Sequence, residues 1–156
     1  MAEKELKLTA QERAEAGKGV ARRLRQNGQL PGVLYGHGEK ARPVAVTAHE
    51  FESLMHHSGL MSLKIDGGKE RSVVIKEVQL DAVSDLPLHV DFQEVRADEI
   101  ITATVPIVAN GTPAGETEGG ELEQVIYEIE ISCAANKMPE EIPVDVSELH
   151  VDEVIT

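Results

Sequence analysis

The sequence predicts a mainly β protein with a few short helices, arranged as two units. Three observations point there. Short runs of alternating apolar and polar residues recur along the chain, separated by Gly, Pro, Asn and Asp. Helical spacing occurs in two brief segments only. The charge is unevenly divided: residues 1–95 hold 13 Lys and Arg against 14 Asp and Glu, whereas residues 96–156 hold 2 against 14. Such an asymmetry marks two units with different partners, and the boundary is expected at Val95, with Arg96–Glu99 as the joint. The 156 residues suffice for one domain or two small ones. With no Trp, two Phe and two Tyr, the core has to be aliphatic.

Leu6 and Leu8 alternate with charged residues and predict a strand. "TAQERAEAGKG", Thr9–Gly19, is polar throughout and reads as a loop. "VARRLRQNG" reads as a short helix, with Val20 and Leu24 four apart on one face and Gly28 as its stop. "GVLYG" (Gly32–Gly36) and "RPVAV" (Arg42–Val46) are strands. Thr47 followed by Glu50 predicts a capping box, and Phe51, Leu54 and Met55 form the apolar face of a helix that Gly59 ends. Two β-rich runs flank Asp66-Gly67-Gly68 within Met61–Leu80, a hairpin signal. Leu86–Val95 is a further strand.

In the second unit, a strand from Ile100 runs into Asn110-Gly111, and a Gly-rich acidic loop, "GETEGGE", follows. "LEQVIYEIEIS" predicts a strand with one wet, acidic face, and "IPVDVSEL" a strand ending in a turn. "HVDEVIT" reads as the interior of a strand, so the second unit is expected to be incomplete at its C-terminus and the native chain to continue beyond Thr156. A β-unit of about 60 residues is near the lower limit for an independent core.

Several function classes are disfavoured. There is no apolar run of membrane-spanning length. "MAEKELKLTA" lacks the apolar region of a secretory signal. The single cysteine, Cys133, cannot form an internal disulfide and is expected in the core. A soluble cytoplasmic protein is the expectation.

The basic residues are concentrated. Arg13–Arg42 holds 7 basic and 2 acidic residues, and Lys18, Arg22, Arg23 and Arg25 fall within eight positions. On a helix, Arg22 and Arg25 are neighbours and form a rack of guanidinium groups suited to phosphate. A merely solvated face is the other reading. Gly17-Lys18-Gly19 lacks the six-residue cradle of a nucleotide-binding loop. Tyr35 shares a strand face with Val33, either in the core or presenting its phenol to a sugar, phosphate or base. In "LHVDF", Leu88, Val90 and Phe92 point one way and His89 and Asp91 the other. A His-Asp pair without a placed nucleophile is a poor catalyst. On an open sheet face it suits reading of base edges and 2′-hydroxyls. His56 and His57 diverge by about 100° on a helix, which is unsuited to one metal.

Taken together, "GKGVARRLRQNGQLPGVLYG", "IKEVQLD" and "HVDF", in that order, closely resemble the bacterial large-subunit ribosomal proteins that bind 5S ribosomal RNA. The two-domain form, the general stress protein CTC type, is the nearer match: "VPIVANGTPAGETEGGELEQ" and "MPEEIPVD" resemble its second domain. The resemblance implies a six-stranded β-barrel over residues 1–95 that binds 5S RNA, and a β-rich second domain over 96–156. By matching motifs it implies RNA contacts from Arg13, Lys18, Arg22, Arg23, Arg25, Tyr35, His89 and Asp91, with Gln79 a weaker candidate. Gln26 stands where some relatives have a further Arg, so one phosphate contact is absent. The partners implied are 5S RNA and the large ribosomal subunit, with neighbouring ribosomal proteins for the second domain. No enzymatic activity, cofactor, metal, membrane or small-molecule substrate is expected. Two rivals are a β-barrel that binds a protein through its acidic second half, and a small hydrolase built on His89 and Asp91.

Overall fold

The structure, a computed structural model, describes residues 6–13 and 17–156. Elements run β1 (Lys7–Glu12), α1 (Lys18–Gln26), β2 (Gln29–Gly36), β3 (Glu39–Thr47), α2 (Ala48–Glu52), β4 (Met61–Ile65), β5 (Glu70–Leu80) and β6 (Pro87–Glu94). They continue with β7 (Ile100–Asn110), α3 (Ala114–Thr117), β8 (Glu128–Ala134), a 3-10 turn at Ala135–Lys137 and β9 (Ile142–Asp145). Two compact units result. One extends to Ile101 and includes Cys133–Met138; the other comprises Thr102–Ser132 and Pro139–Thr156.

In the first unit six strands close a barrel in the order β1-β3-β2-β6-β5-β4, the architecture the resemblance implied. Two parallel pairs, β1 with β4 and β2 with β6, join strands far apart in sequence. The β4–β5 hairpin turns at Asp66 and Gly67, both with positive φ (49° and 69°), as a tight turn matched to strand twist requires. Alternate residues of every strand fill the barrel: Leu8 and Ala10, Leu30 and Leu34, Val44 and Val46, Met61 and Leu63, Val73, then Val90 and Phe92. Helix α2 adds Phe51, whose ring meets Phe92 edge to face at 6.1 Å. The filling is otherwise aliphatic, as the composition requires.

Gly32 explains part of the "PGVLYG" motif. Its partners are Val44 and Val90, both inward-facing. A Cβ at Gly32 would lie 2.6 Å from the Val90 carbonyl oxygen. Glycine is what lets β2 approach β6 this closely.

Some local expectations are corrected. The strand of Leu6 and Leu8 extends to Glu12, because Ala10, Gln11 and Glu12 pair with β3; the rest of the predicted loop includes residues 14–16, which lie outside the described residues. Thr47 does occupy the N-cap of α2 but makes no side-chain cap hydrogen bond. That helix is five residues long and stops well before Gly59.

The second unit carries a three-stranded sheet in the order β8-β7-β9, with β7 and β9 parallel. "LEQVIYEIEIS" is a strand only from Glu128. Val125, Ile126, Tyr127 and Ile129 are exposed: alternation makes one buried face only where a second layer covers it. "HVDEVIT" forms no strand. Cys133 is half-buried in β8, its thiol 3.7 Å from the Met138 sulfur.

Candidate nucleic-acid interface

Helix α1 rests on β2 through Val20, Ala21 and Leu24, all half-buried. Lys18, Arg22, Arg23 and Arg25 are exposed. The helix closes where the Asn27 N–H donates to the Arg23 and Leu24 carbonyls at 3.1 and 3.0 Å and that of Gly28 to Arg25 at 3.2 Å. Arg23 and Arg25 lie in the last turn, where free carbonyls favour cations.

Some cations of the barrel are paired with carboxylates, while others, Lys40, Lys64 and Lys69 among them, have no ion pair among the described residues. Lys7 pairs with Glu70 at 3.5 Å, Arg42 with Glu39 at 3.4 Å, and Arg71 with Glu94 at 2.7 Å. Among the described residues, Lys18, Arg22 and Arg23 have no ion pair. Their charge is therefore available to a polyanion.

Arg25 links the helix to the sheet. Its Nη1 donates to the Leu88 carbonyl at 3.2 Å, one residue before His89. Because Val90 and Phe92 fill the barrel, His89 and Asp91 point outward, and His89 Nδ1 lies 3.1 Å from Asp91 Oδ1. The register extends this face sideways. Asp91 pairs with Val33 on one side and Glu77 on the other, and His89 pairs with Gln79. Tyr35 stands two residues beyond Val33 on the same outer face, half-buried and outside the core cluster. Burial, then the charges of Asp91 and Glu77, hold its phenol above the usual 10.0.

Arg13 is half-buried. Its Nε donates to Val44 O at 2.9 Å and its Nη2 to Gly32 O at 3.3 Å. Two backbone carbonyls thus orient a group with five N–H donors, leaving three for a ligand.

The structure brings Lys18, Arg22, Arg23, Arg25, Tyr35, Gln79, His89 and Asp91 onto α1 and the adjoining outer face of β2, β6 and β5. Arg13 lies beyond β1, on the β3 side of β2. Sequence reasoning passed over Glu77. Its spacing from Gln79 was a signal, but the irregularity between Ile75 and Glu77 that sets it opposite Asp91 was not visible. Among the described residues, no group of three His, Cys, Asp or Glu could hold a metal ion. No helix among them is long and apolar enough to cross a membrane.

Residues 8–92 match the Ribosomal L25p family. The chain belongs to that family. Residues 100–156 match a second family, described as Ribosomal protein TL5, C-terminal domain. The chain is 38% identical over 152 residues to the large ribosomal subunit protein bL25 of Halothermothrix orenii, covering 96% of this chain and 70% of the relative. It is also 38% identical over 152 residues to bL25 of Pseudomonas putida, covering 95% and 77%. With bL25 of Desulfotalea psychrophila it is 35% identical over 156 residues, covering 97% and 85%. The resemblance drawn from the barrel motifs and from the second-domain segments is borne out at the level of the family. This is a family of structural ribosomal proteins, not of enzymes, and the hydrolase reading of His89 and Asp91 falls with it.

Proposed function

We propose that this chain is a structural component of the large ribosomal subunit and that residues 1–95 bind 5S ribosomal RNA through α1 and the outer face of β2, β6 and β5. One observation carries the reading: the unpaired cations of α1 adjoin the strand bearing His89 and Asp91, and Arg25 ties the two together. The two parts divide the work. Lys18, Arg22, Arg23 and Arg25 neutralise phosphates, which position the RNA without reading its sequence. Tyr35, Gln79, His89 and Asp91 meet base edges and 2′-hydroxyls in a shallow groove. Arg13 adds its remaining donors at the margin. The second unit, with 2 basic against 14 acidic residues over 96–156, repels the same RNA and is left for a protein neighbour.

The salt dependence of binding tests this. Each phosphate contact contributes roughly 0.7–0.9 to the log–log slope of affinity against salt. Alanine at Arg22, Arg23 or Arg25 should flatten the slope by about that much for each contact removed. A slope unchanged in all three variants, with the fold intact, would overturn the assignment of α1.

A further inference from the structure

Glu77 is an acidic side chain facing a surface read as a polyanion site. The register sets it directly opposite Asp91, on the neighbouring strand and the same outer face. Like charges directly opposite in a sheet are destabilising. Among the described residues Glu77 has no ion pair, and the carboxylate opposite it, Asp91, already has His89 at 3.1 Å. A local rule broken in this way, on a face otherwise built for binding, marks function rather than folding.

We propose that Glu77 is a specificity-determining residue and that Glu77 and Asp91 together form a twin acceptor for guanine 2-amino groups. The inference rests on the RNA-binding reading above. Two carboxylates repel phosphate, so they have to meet hydrogen-bond donors that carry no negative charge. In an RNA helix the deep, narrow groove is closed to side chains, and the wide, shallow groove presents 2′-hydroxyls and base edges. Among the base edges there, the guanine 2-amino group is the donor. The α1 cations lie to the side of the pair, where phosphates border such a groove. The surface therefore attracts RNA at its margin and tests it at its centre. Backbone alone would bind there less well than a groove presenting guanine.

The experiment uses the whole chain and 5S ribosomal RNA. Guanines protected by the wild-type protein are replaced one at a time by inosine, which lacks only the 2-amino group. Each RNA is titrated with wild type and with Glu77→Ala. At one guanine at least, inosine should weaken wild-type binding by about 5–150-fold, the scale of a specific base-edge contact. Glu77→Ala should already be weakened on the unmodified RNA and lose little more on the inosine form. Equal inosine penalties in both proteins at every guanine would overturn the role of Glu77. So would a Glu77→Ala variant that binds 5S and unrelated RNA more tightly alike. A wild-type chain that does not retain 5S RNA would instead remove the reading on which the inference rests. Glu77→Gln, the same shape without the charge, should unfold at higher urea than wild type. Earlier unfolding would contradict the like-charge pairing and the proposal with it.

Discussion

Replacing Gly32 by alanine tests whether the close approach of β2 to β6 holds the interface together. The added Cβ would lie 2.6 Å from the Val90 carbonyl oxygen and 2.8 Å from Val90 Cγ1. Ordinary contact begins near 3.4–3.5 Å, so at least ~0.8 Å has to be found. The Val90 side chain is fully buried between neighbours, and its carbonyl belongs to the backbone of the barrel. Neither gives easily, and overpacking of this kind costs about 1–3 kcal/mol. With a urea m-value of ~1–3 kcal/mol/M, the midpoint should fall by about 1 M. Urea unfolding followed by circular dichroism reads this directly. Val90→Ala in the same chain should restore part of the loss. It removes Cγ1 but leaves the carbonyl, and its own cavity takes back some of the gain. The Gly32→Ala variant should also bind 5S RNA less well at temperatures where it is folded, because β2 carries Tyr35 and supports α1. A midpoint within experimental error of wild type would refute the argument from close approach.

Asp91→Asn keeps shape and removes charge: cognate 5S RNA should bind more weakly, by about 1–3 kcal/mol, and unrelated RNA as well or better. Tighter binding to both would make Asp91 a bystander near phosphates. In a Tyr127→Phe background, which leaves Tyr35 as the only tyrosine, absorbance titration should place the phenol above 10.0, and Asp91→Asn or Glu77→Gln should lower it. A midpoint at or below 10.0 would contradict the placement of the phenol. In the β5–β6 connection, Asp81 Oδ1 accepts from Ser84 N at 2.8 Å, Val83 N at 3.0 Å and Ser84 Oγ at 3.0 Å, which holds its carboxyl below 3.8. Its folded pKa is depressed, so its contribution to that turn is present above 3.8 and lost as pH falls through the lower folded value. The Asp81 carboxyl carbon should titrate below 3.8 by NMR, and Ser84→Ala should move it upward.

Individual strands were legible because an inward and an outward residue alternate, and Leu88–Phe92 is the clearest case. The barrel's closure was not. The pairings of β1 with β4 and β2 with β6 join segments with no local signal, and the six-stranded barrel came from the resemblance instead. The faces of α1 and β6 were legible from spacing alone, and both are oriented as their apolar residues require. Tyr35 had two open readings because Val33 shares its face; the positions of Leu34 in the core and Asp91 opposite Val33 decide for the outer surface. The bonds of Arg13 depend on which strands pass beneath its guanidinium, which no local pattern encodes. In the second unit, alternation across Val125–Ile131 overstated the strand, because period alone says nothing about what covers the apolar side.

The central claim is that 5S RNA lies on α1 and the outer face of β2, β6 and β5. Amide hydrogen exchange of the whole chain, free and bound to 5S RNA, tests it most directly. The account predicts slowed exchange in 18–26, 33–35, 77–79 and 88–91, with residues 102–132 and 139–156 unchanged. Protection confined to the second unit, with α1 and β6 exchanging as in the free protein, would contradict it.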